Sequence, residues 1–280
     1  MNRTIQIEKE SCIKCGKCAQ VCPSGIMVKD KSTKEINLIN MEHCIGCGHC
    51  VDVCPKDSVI HSDFPAEHVH TIDYSQMPSP EQVMLLIKSR RSNRTITSKP
   101  VPKELLEQIV EAARYAPTAS NSRQISFTLI TDPEKLLQIS NFTIDVFNSL
   151  AKLLLNPIVK LLLKPFMKET YKYVPVFENL KQEHAEGKDP ILRKATALLI
   201  IHTPASNRFG CEDANLAYQN ASLMAQSLGI SQVYMGFVLT AIKQDKKDGF
   251  NRITGIEGKV QAIMALGMPA FNYPKYVDRL

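Results

Sequence analysis

Eight of the nine cysteines in this 280-residue chain fall into two runs, Cys12, Cys15, Cys18, Cys22 and Cys44, Cys47, Cys50, Cys54. Both read C-x2-C-x2-C-x3-C and both close on proline, Pro23 and Pro55. Thiols three residues apart on a short loop reach three corners of an iron–sulfur cube, whose irons take soft thiolate ligands. The fourth Cys of each run lies too far along the chain to close the same cube, so it serves the other one. The spacing therefore predicts two four-iron clusters. One is held by Cys12, Cys15, Cys18 and Cys54, the second by Cys44, Cys47, Cys50 and Cys22. The chemistry is electron transfer.

The runs belong to an internal repeat offset by 32 residues, in which SCIKCGKCAQVCP aligns with HCIGCGHCVDVCP. Ile13 and Ile45, Gly16 and Gly48, and Val21 and Val53 coincide. The glycines permit tight turns close to the sulfurs, and the apolar residues are expected to keep water from the cubes. Structural zinc would use two separated Cys pairs rather than four thiols closing on Pro. A disulfide framework is disfavoured because the stretch MNRTIQIEKESC has no apolar core of a secretory signal. The pattern is that of a bacterial two-cluster ferredoxin, expected over residues 1–62.

Some 200 residues remain, enough for a second domain with its own core. Residues 1–65 carry eight Lys/Arg and eight Asp/Glu, so the net charge of +6 resides in the remainder. This fits an anionic cofactor or partner for the larger domain. No basic run is dense enough for nucleic-acid binding and Trp is absent. Cys211 is expected to be a buried thiol. A Pro-containing polar linker, residues 63–79, separates the two domains.

From Pro80 the pattern is helical, with Val83, Leu86 and Ile87 on one face. A second helix, Pro102 to Ala116, is expected to bury Leu105, Leu106, Ile109 and Ala113 and to stop at Pro117. Strands are expected at 125–131, 196–202 and 259–266, and a helix from Glu212 to Leu228 ended by Gly229. Without strict β-α-β alternation, this favours an α+β domain over a doubly wound sheet, expected over residues 80–280. The apolar stretch 146–167 is broken by Lys152, Lys160 and Lys164 and falls short of a membrane span. It reads as helical segments broken near Pro157 and Pro165. Core or subunit interface is its expected role, ahead of a lid and then of membrane-surface docking through the lysines, so a membrane partner is not favoured.

Three segments of the larger domain carry a second signal. Ser89-Arg90-Arg91-Ser92-Asn93-Arg94 gathers three guanidiniums able to clamp a phosphate. Ala116-Pro117-Thr118-Ala119-Ser120-Asn121-Ser122 follows the second helix, and Ala265-Leu266-Gly267-Met268-Pro269-Ala270 precedes Lys275 and Arg279. In this order and spacing they resemble the nitroreductase family of FMN enzymes. The whole chain is similar to the branch fused to an N-terminal two-cluster ferredoxin.

The resemblance implies an α+β homodimer with a mixed central sheet in each larger domain and FMN at the subunit interface. It implies that Arg90, Ser92 and Arg94, with Arg91 beside them, face the FMN phosphate and the polar edge of the flavin. Pro117, Thr118, Ala119 and Asn121 match the loop that reaches the flavin of the other subunit. Lys275 and Arg279 match late basic residues on the phosphate. Tyr234-Met235-Gly236-Phe237 matches a strand end passing the flavin, where the N–H of Met235 is expected at N5. The chain departs from the family at Arg123-Gln124-Ile125, where Gln-Pro-Trp is common. Lys275 and Arg279 are more widely spaced than usual, and residues 141–195 align with nothing.

The implied activity is an oxidoreductase that passes electrons from the clusters to FMN. The final acceptor is a small planar molecule: a nitroaromatic, quinone or enone. The donor is an external ferredoxin or NAD(P)H. No G-x-G-x-x-G fingerprint is present, which favours the cluster route. A non-enzymatic relay and a redox sensor are the alternatives. No side chain stands out as a catalytic acid or base. Oxygen-sensitive clusters point to the cytoplasm of an anaerobic microbe.

Overall fold

The computed structural model describes residues 3–279. The chain forms two compact units, Met1–Pro78 with Ala119–Arg123, and Ser79–Thr118 with Gln124–Leu280.

The first unit is the cysteine repeat made into structure. Strand β1 (Ile5–Ile7) pairs antiparallel with β4 (Val59–His61), and β2 (Met27–Lys29) with β3 (Ile36–Leu38). Each cysteine run winds into a short helix, α1 (Lys17–Val21) and α2 (His49–Asp52). The residues before them, Gly16 and Gly48, both have φ of 83°, a left-handed conformation that glycine adopts without strain. A small core of Ile5, Ile26, Met27, Val51 and Val59 packs between the runs. Ile13, expected to shield a cluster, is 57% exposed yet lines the cavity of Cys12, Cys15, Cys18 and Cys54, and Ile45 lines that of the other four cysteines.

In the second unit, helix α3 (Pro80–Ser89) starts at a capping box between Ser79 and Gln82. It buries none of its residues, and Val83, Met84, Leu85 and Ile87 are exposed. Helix α4 (Lys103–Arg114) buries Leu106, Ile109 and Ala113, as its apolar spacing predicts. A four-stranded sheet has the order β5 (Ser126–Ile130), β6 (Ala197–Thr203), β8 (Lys259–Gly267), β7 (Ser231–Tyr234).

Both faces of this sheet are covered at its centre, so β6 and much of β8 read as continuous apolar runs. Ala197, Leu199 and Ile201 of β6 face a core shared with α4 and α9 (Gly210–Ser227). Leu198 and Ile200 face the opposite core, with α5 (Pro133–Leu155), α8 (Val174–Ala185), α10 (Gly236–Gln244) and α11 (Gly249–Thr254). Phe147 of α5 stacks on Phe177 at 4.6 Å and meets Phe237 edge-on at 5.5 Å.

The sheet differs from the mixed one expected: every pairing is antiparallel. The reason is that β8 slots between β6 and β7. Those two strands run in the same direction and are joined through α9, so their parallel relation is at one remove. Cys211 also departs from expectation. It is exposed, because it sits on the outer side of α9, whose buried residues include Gly210, Asp213, Ala214 and Ala217.

The break at Pro157 is as expected. The axis turns by 82° between α5 and α6 (Pro157–Leu163), and Asn156 Oδ1 caps α6 by accepting from Ile158 N and Val159 N. A short α7 (Lys168–Lys172) follows. Phe147, Ala151 and Leu154 are in the core as expected, whereas most residues after Leu155 are exposed in the single chain.

Candidate functional site

The crossed pairing of cysteines reads directly off two cavities in the first unit. One is lined by Cys12, Cys15, Cys18 and Cys54, with Ile7, Ile36 and Val59. The other is lined by Cys22, Cys44, Cys47 and Cys50, with Ile26, Met27 and His61. Among the described residues no three His, Cys, Asp or Glu side chains converge closely enough to hold a single ion. Four thiols ringing a cage suit a multi-iron cube better than tetrahedral zinc.

Burial raises the Cys18 thiol, and burial with the neighbouring Cys47 raises Cys50 to about 11. A positively charged iron centre offsets that cost of making thiolates. Backbone N–H groups already point at two sulfurs, Gly46 N to Cys44 Sγ at 3.4 Å and Ser58 N to Cys54 Sγ at 3.2 Å.

His61 was not anticipated here. Its Nδ1 accepts from Asp63 N at 3.0 Å, so the ring proton sits on Nε2, 3.6 Å from Cys44 Sγ. The imidazole is 2% exposed and burial lowers its pKa, which keeps it a neutral donor to the sulfur. The signal was present in the repeat. His61 and Lys29 occupy matching positions of β4 and β2, and Lys29 Nζ donates to Cys15 O at 3.3 Å.

Arg3 is a second unforeseen partner of this cage. It donates to Cys44 O at 2.7 Å and pairs with Asp63 at 2.6 Å. Through that hydrogen bond it holds the Asp63 carboxyl below its ordinary value.

Segment 119–123 also belongs to this unit. Asn121 Nδ2 donates to Ile45 O at 3.0 Å and Gly46 O at 2.7 Å. Arg123 Nη2 donates to Gly46 O at 2.9 Å, and its guanidinium lies 5.8 Å from the Phe64 ring. The departure at Arg123 thus has a use: it grips the loop that carries Cys44 and Cys47. Ser120, Asn121 and Arg123 all have φ near +50°, a conformation that Asn tolerates better than most residues.

The remaining expected contacts lie in the second unit. Arg90, Arg91 and Ser92 are half-buried beyond α3, while Arg94 is exposed. Burial lowers Arg90, with nearby Arg279 and Arg91 acting in the same direction. Arg91 Nη1 donates to Lys88 O and its own carbonyl accepts from Gln232 Nε2. Arg91 lines one concavity with Ser89, Asn93 and Lys275. Arg90, Arg91, Lys275 and Arg279 are therefore brought into one cationic region.

Arg94 lines a different cavity, of about 640 Å³, with Tyr234, Met235, Gly236 and Phe237. Phe147, Leu150, Tyr173 and Phe177 complete its apolar wall. These four come from the stretch that no sequence motif could read. Pro117 and Thr118 line neither cavity.

One expectation is corrected. The N–H of Met235 donates to Ile263 O at 3.0 Å, so it belongs to the sheet. The first intrahelical bond of α10 is Leu239 N to Met235 O, so helix geometry leaves the N–H groups of Gly236, Phe237 and Val238 without an intrahelical acceptor.

The two four-thiol cages of the first unit, and the helix-covered antiparallel sheet with its cationic cleft in the second, define an iron–sulfur protein with an α+β cofactor domain. Residues 87–268 match the nitroreductase family, and the chain belongs to it. Residues 4–55 match a 4Fe-4S dicluster domain. Among curated relatives, a putative NADH dehydrogenase/NAD(P)H nitroreductase of Methanothermobacter thermautotrophicus is 24% identical over 74% of this chain and 88% of its own. An FMN reductase [NAD(P)H] of Bacillus subtilis is 26% identical over 56% and 55%. Among solved structures, a Bacteroides fragilis nitroreductase with bound FMN superposes with a TM-score of 0.53 at 23% identity, covering 70% of this chain and 95% of that one. At these identities the structural likeness speaks for the fold.

Proposed function

We propose that this protein is an iron–sulfur flavoprotein oxidoreductase. It passes electrons from two [4Fe-4S] clusters to FMN and on to a small planar acceptor, a nitroaromatic, quinone or enone. The observation that carries the reading is the pair of cages, each lined by one crossed set of four thiols, in a chain whose larger part is a nitroreductase domain. When bound, the clusters relay single electrons and FMN converts them to hydride-level chemistry.

The chain's own residues supply position and field. Cys12, Cys15, Cys18 and Cys54 hold one cluster, and Cys22, Cys44, Cys47 and Cys50 the other. Arg90, Arg91, Ser92, Lys275 and Arg279 bind the FMN phosphate, which the charge excess of this domain favours. Arg94 stands at the polar edge of the flavin, where a cation stabilises the anionic reduced ring. The opening N–H groups of α10, at Gly236 and Phe237, replace Met235 as donors to the flavin. Pro117, Thr118, Ala119 and Asn121 remain the loop assigned to the partner subunit's site.

A homodimer is supported by α3, whose apolar side chains the single chain leaves uncovered. The boundaries 1–62, 63–79 and 80–280 describe the division of labour between ferredoxin module, linker and flavin domain. An external ferredoxin is the proposed donor, with NAD(P)H as the competing one, in the cytoplasm of an anaerobe. The test is Cys47→Ala. It should abolish turnover driven by reduced ferredoxin and leave FMN bound. Ferredoxin-driven turnover at the wild-type rate would overturn the electron path.

A further inference from the structure

We propose that the segment from Lys152 to Lys168 is a docking face for an anionic lipid surface. Its apolar side chains stand in solvent: Ile158 is 70% exposed, Leu161 78% and Phe166 87%, and Leu153 and Leu162 are more than half exposed. A surface of this kind on a folded chain marks a place where something apolar is met. The question is what meets it.

Charge decides. Between Asp145 and Glu169 there is no acidic residue, while Lys152, Lys160, Lys164 and Lys168 are interleaved with the leucines. All four lysines are exposed, and none forms an ion pair among the described residues. The face is thus cationic as well as apolar, and a partner must complement both characters. An anionic bilayer offers both complements at once. Its headgroups take the lysines, and its acyl boundary takes the leucines and Phe166.

The geometry suits lying on a surface rather than crossing it. No single described helix is long and apolar enough to span, and the 82° bend at Asn156 turns α6 away from the axis of α5. Asn156, by capping the first N–H groups of α6, holds that bend. The buried residues of α5, Phe147, Ala151 and Leu154, anchor the segment to the core, so the outward face is presented from a fixed base.

The location also has a use, which rests on the proposed function above. This segment connects two walls of the 640 Å³ cavity, Phe147 and Leu150 on one side and Thr170 and Tyr173 on the other. Docking holds that cavity beside the lipid, where an apolar small molecule is concentrated.

The test is co-sedimentation of the full-length protein with vesicles, read as protein bound and not as turnover, so its failure is separable from failure of the proposed function. The expected result is binding to vesicles containing phosphatidylglycerol, weak binding to pure phosphatidylcholine, and release at high salt. Leu161→Glu with Phe166→Glu should reduce binding at least tenfold. Lys160→Gln with Lys164→Gln should reduce it about thirtyfold, or about fivefold per lysine. All four side chains are exposed, so circular dichroism should be unchanged, which separates lost docking from lost fold. Absence of phosphatidylglycerol-dependent binding by the wild-type chain overturns the proposal. So does a Leu161→Glu, Phe166→Glu variant that loses its oligomeric state while vesicle binding is unaffected; the face would then be a contact between chains.

Discussion

Replacing His61 by Phe removes its hydrogen bond to a proposed cluster ligand, together with the acceptor of the Asp63 N–H. The aromatic ring keeps its place 4.9 Å from Phe64, so packing changes little. The Nε2–H donation to Cys44 Sγ, at 3.6 Å in the native chain, is lost. A hydrogen bond to a ligating sulfur stabilises the reduced, more negative state more than the oxidised one. A differential of about 1 kcal/mol is typical of one such bond. For a one-electron couple, with ~59 mV per tenfold change, that is about 40 mV.

His61→Phe should therefore lower the potential of the cluster held by Cys22, Cys44, Cys47 and Cys50 by about 40 mV. The other cluster is an internal reference, since His61 does not line its cage. The assay is an anaerobic redox titration followed by electron paramagnetic resonance of the reduced clusters. The variant also deprives the Asp63 N–H of its acceptor, which should cost about 1 kcal/mol of stability. An unchanged potential, or an equal shift of both clusters, would refute the assignment of His61.

Phe147→Ala should destabilise the flavin domain by about 3–5 kcal/mol in denaturant unfolding, because it empties a site stacked on Phe177 and edged by Phe237. A loss under about 1 kcal/mol would contradict the packing described. Burial lowers the pKa of His202, against the opposing pull of the Glu257 carbonyl, and its ring lies 3.0 Å from Thr128 Oγ1. The unfolded chain then takes up a proton below about pH 6.5 that the folded chain resists. Stability should fall as the pH drops through that value, and His202→Gln should flatten this part of a melting-temperature profile. A steeper slope in the variant would contradict it.

The grouping of the cysteines around two cavities was legible because it is local: three thiols sit on each loop, and the crossing follows from the reach of the fourth. Strands β6 and β8 were legible to within a residue because burial on both faces writes them as apolar runs, and the edge strand β5 through its β-branched and aromatic residues. Strand β7, only four residues long, has no such run and entered only as a family strand end. Helix α5 was read only in its second half, because polar residues such as Gln138, Ser140 and Asn141 interrupt the apolar pattern of its first half.

What the sequence hid was set by partners distant along the chain. The N–H of Met235 is consumed by Ile263, 28 positions away, which no local pattern encodes. Asn121 and Arg123 hold carbonyls some 75 residues earlier, so their commitment to the first unit depends on the assembled fold. His61 was visible in the 32-residue repeat, yet an alternating strand residue looks the same whether it faces a sulfur or a core. Cys211 was misread because composition favours burial of thiols, whereas the position on its helix decides it.

Iron, acid-labile sulfide and FMN per chain, measured on anaerobically purified protein, test the central claim most directly. The account predicts about eight iron, eight sulfide and one FMN, given two four-iron cubes and one flavin site per chain. Iron without flavin, or about one zinc per four-thiol cage in place of iron, would contradict it.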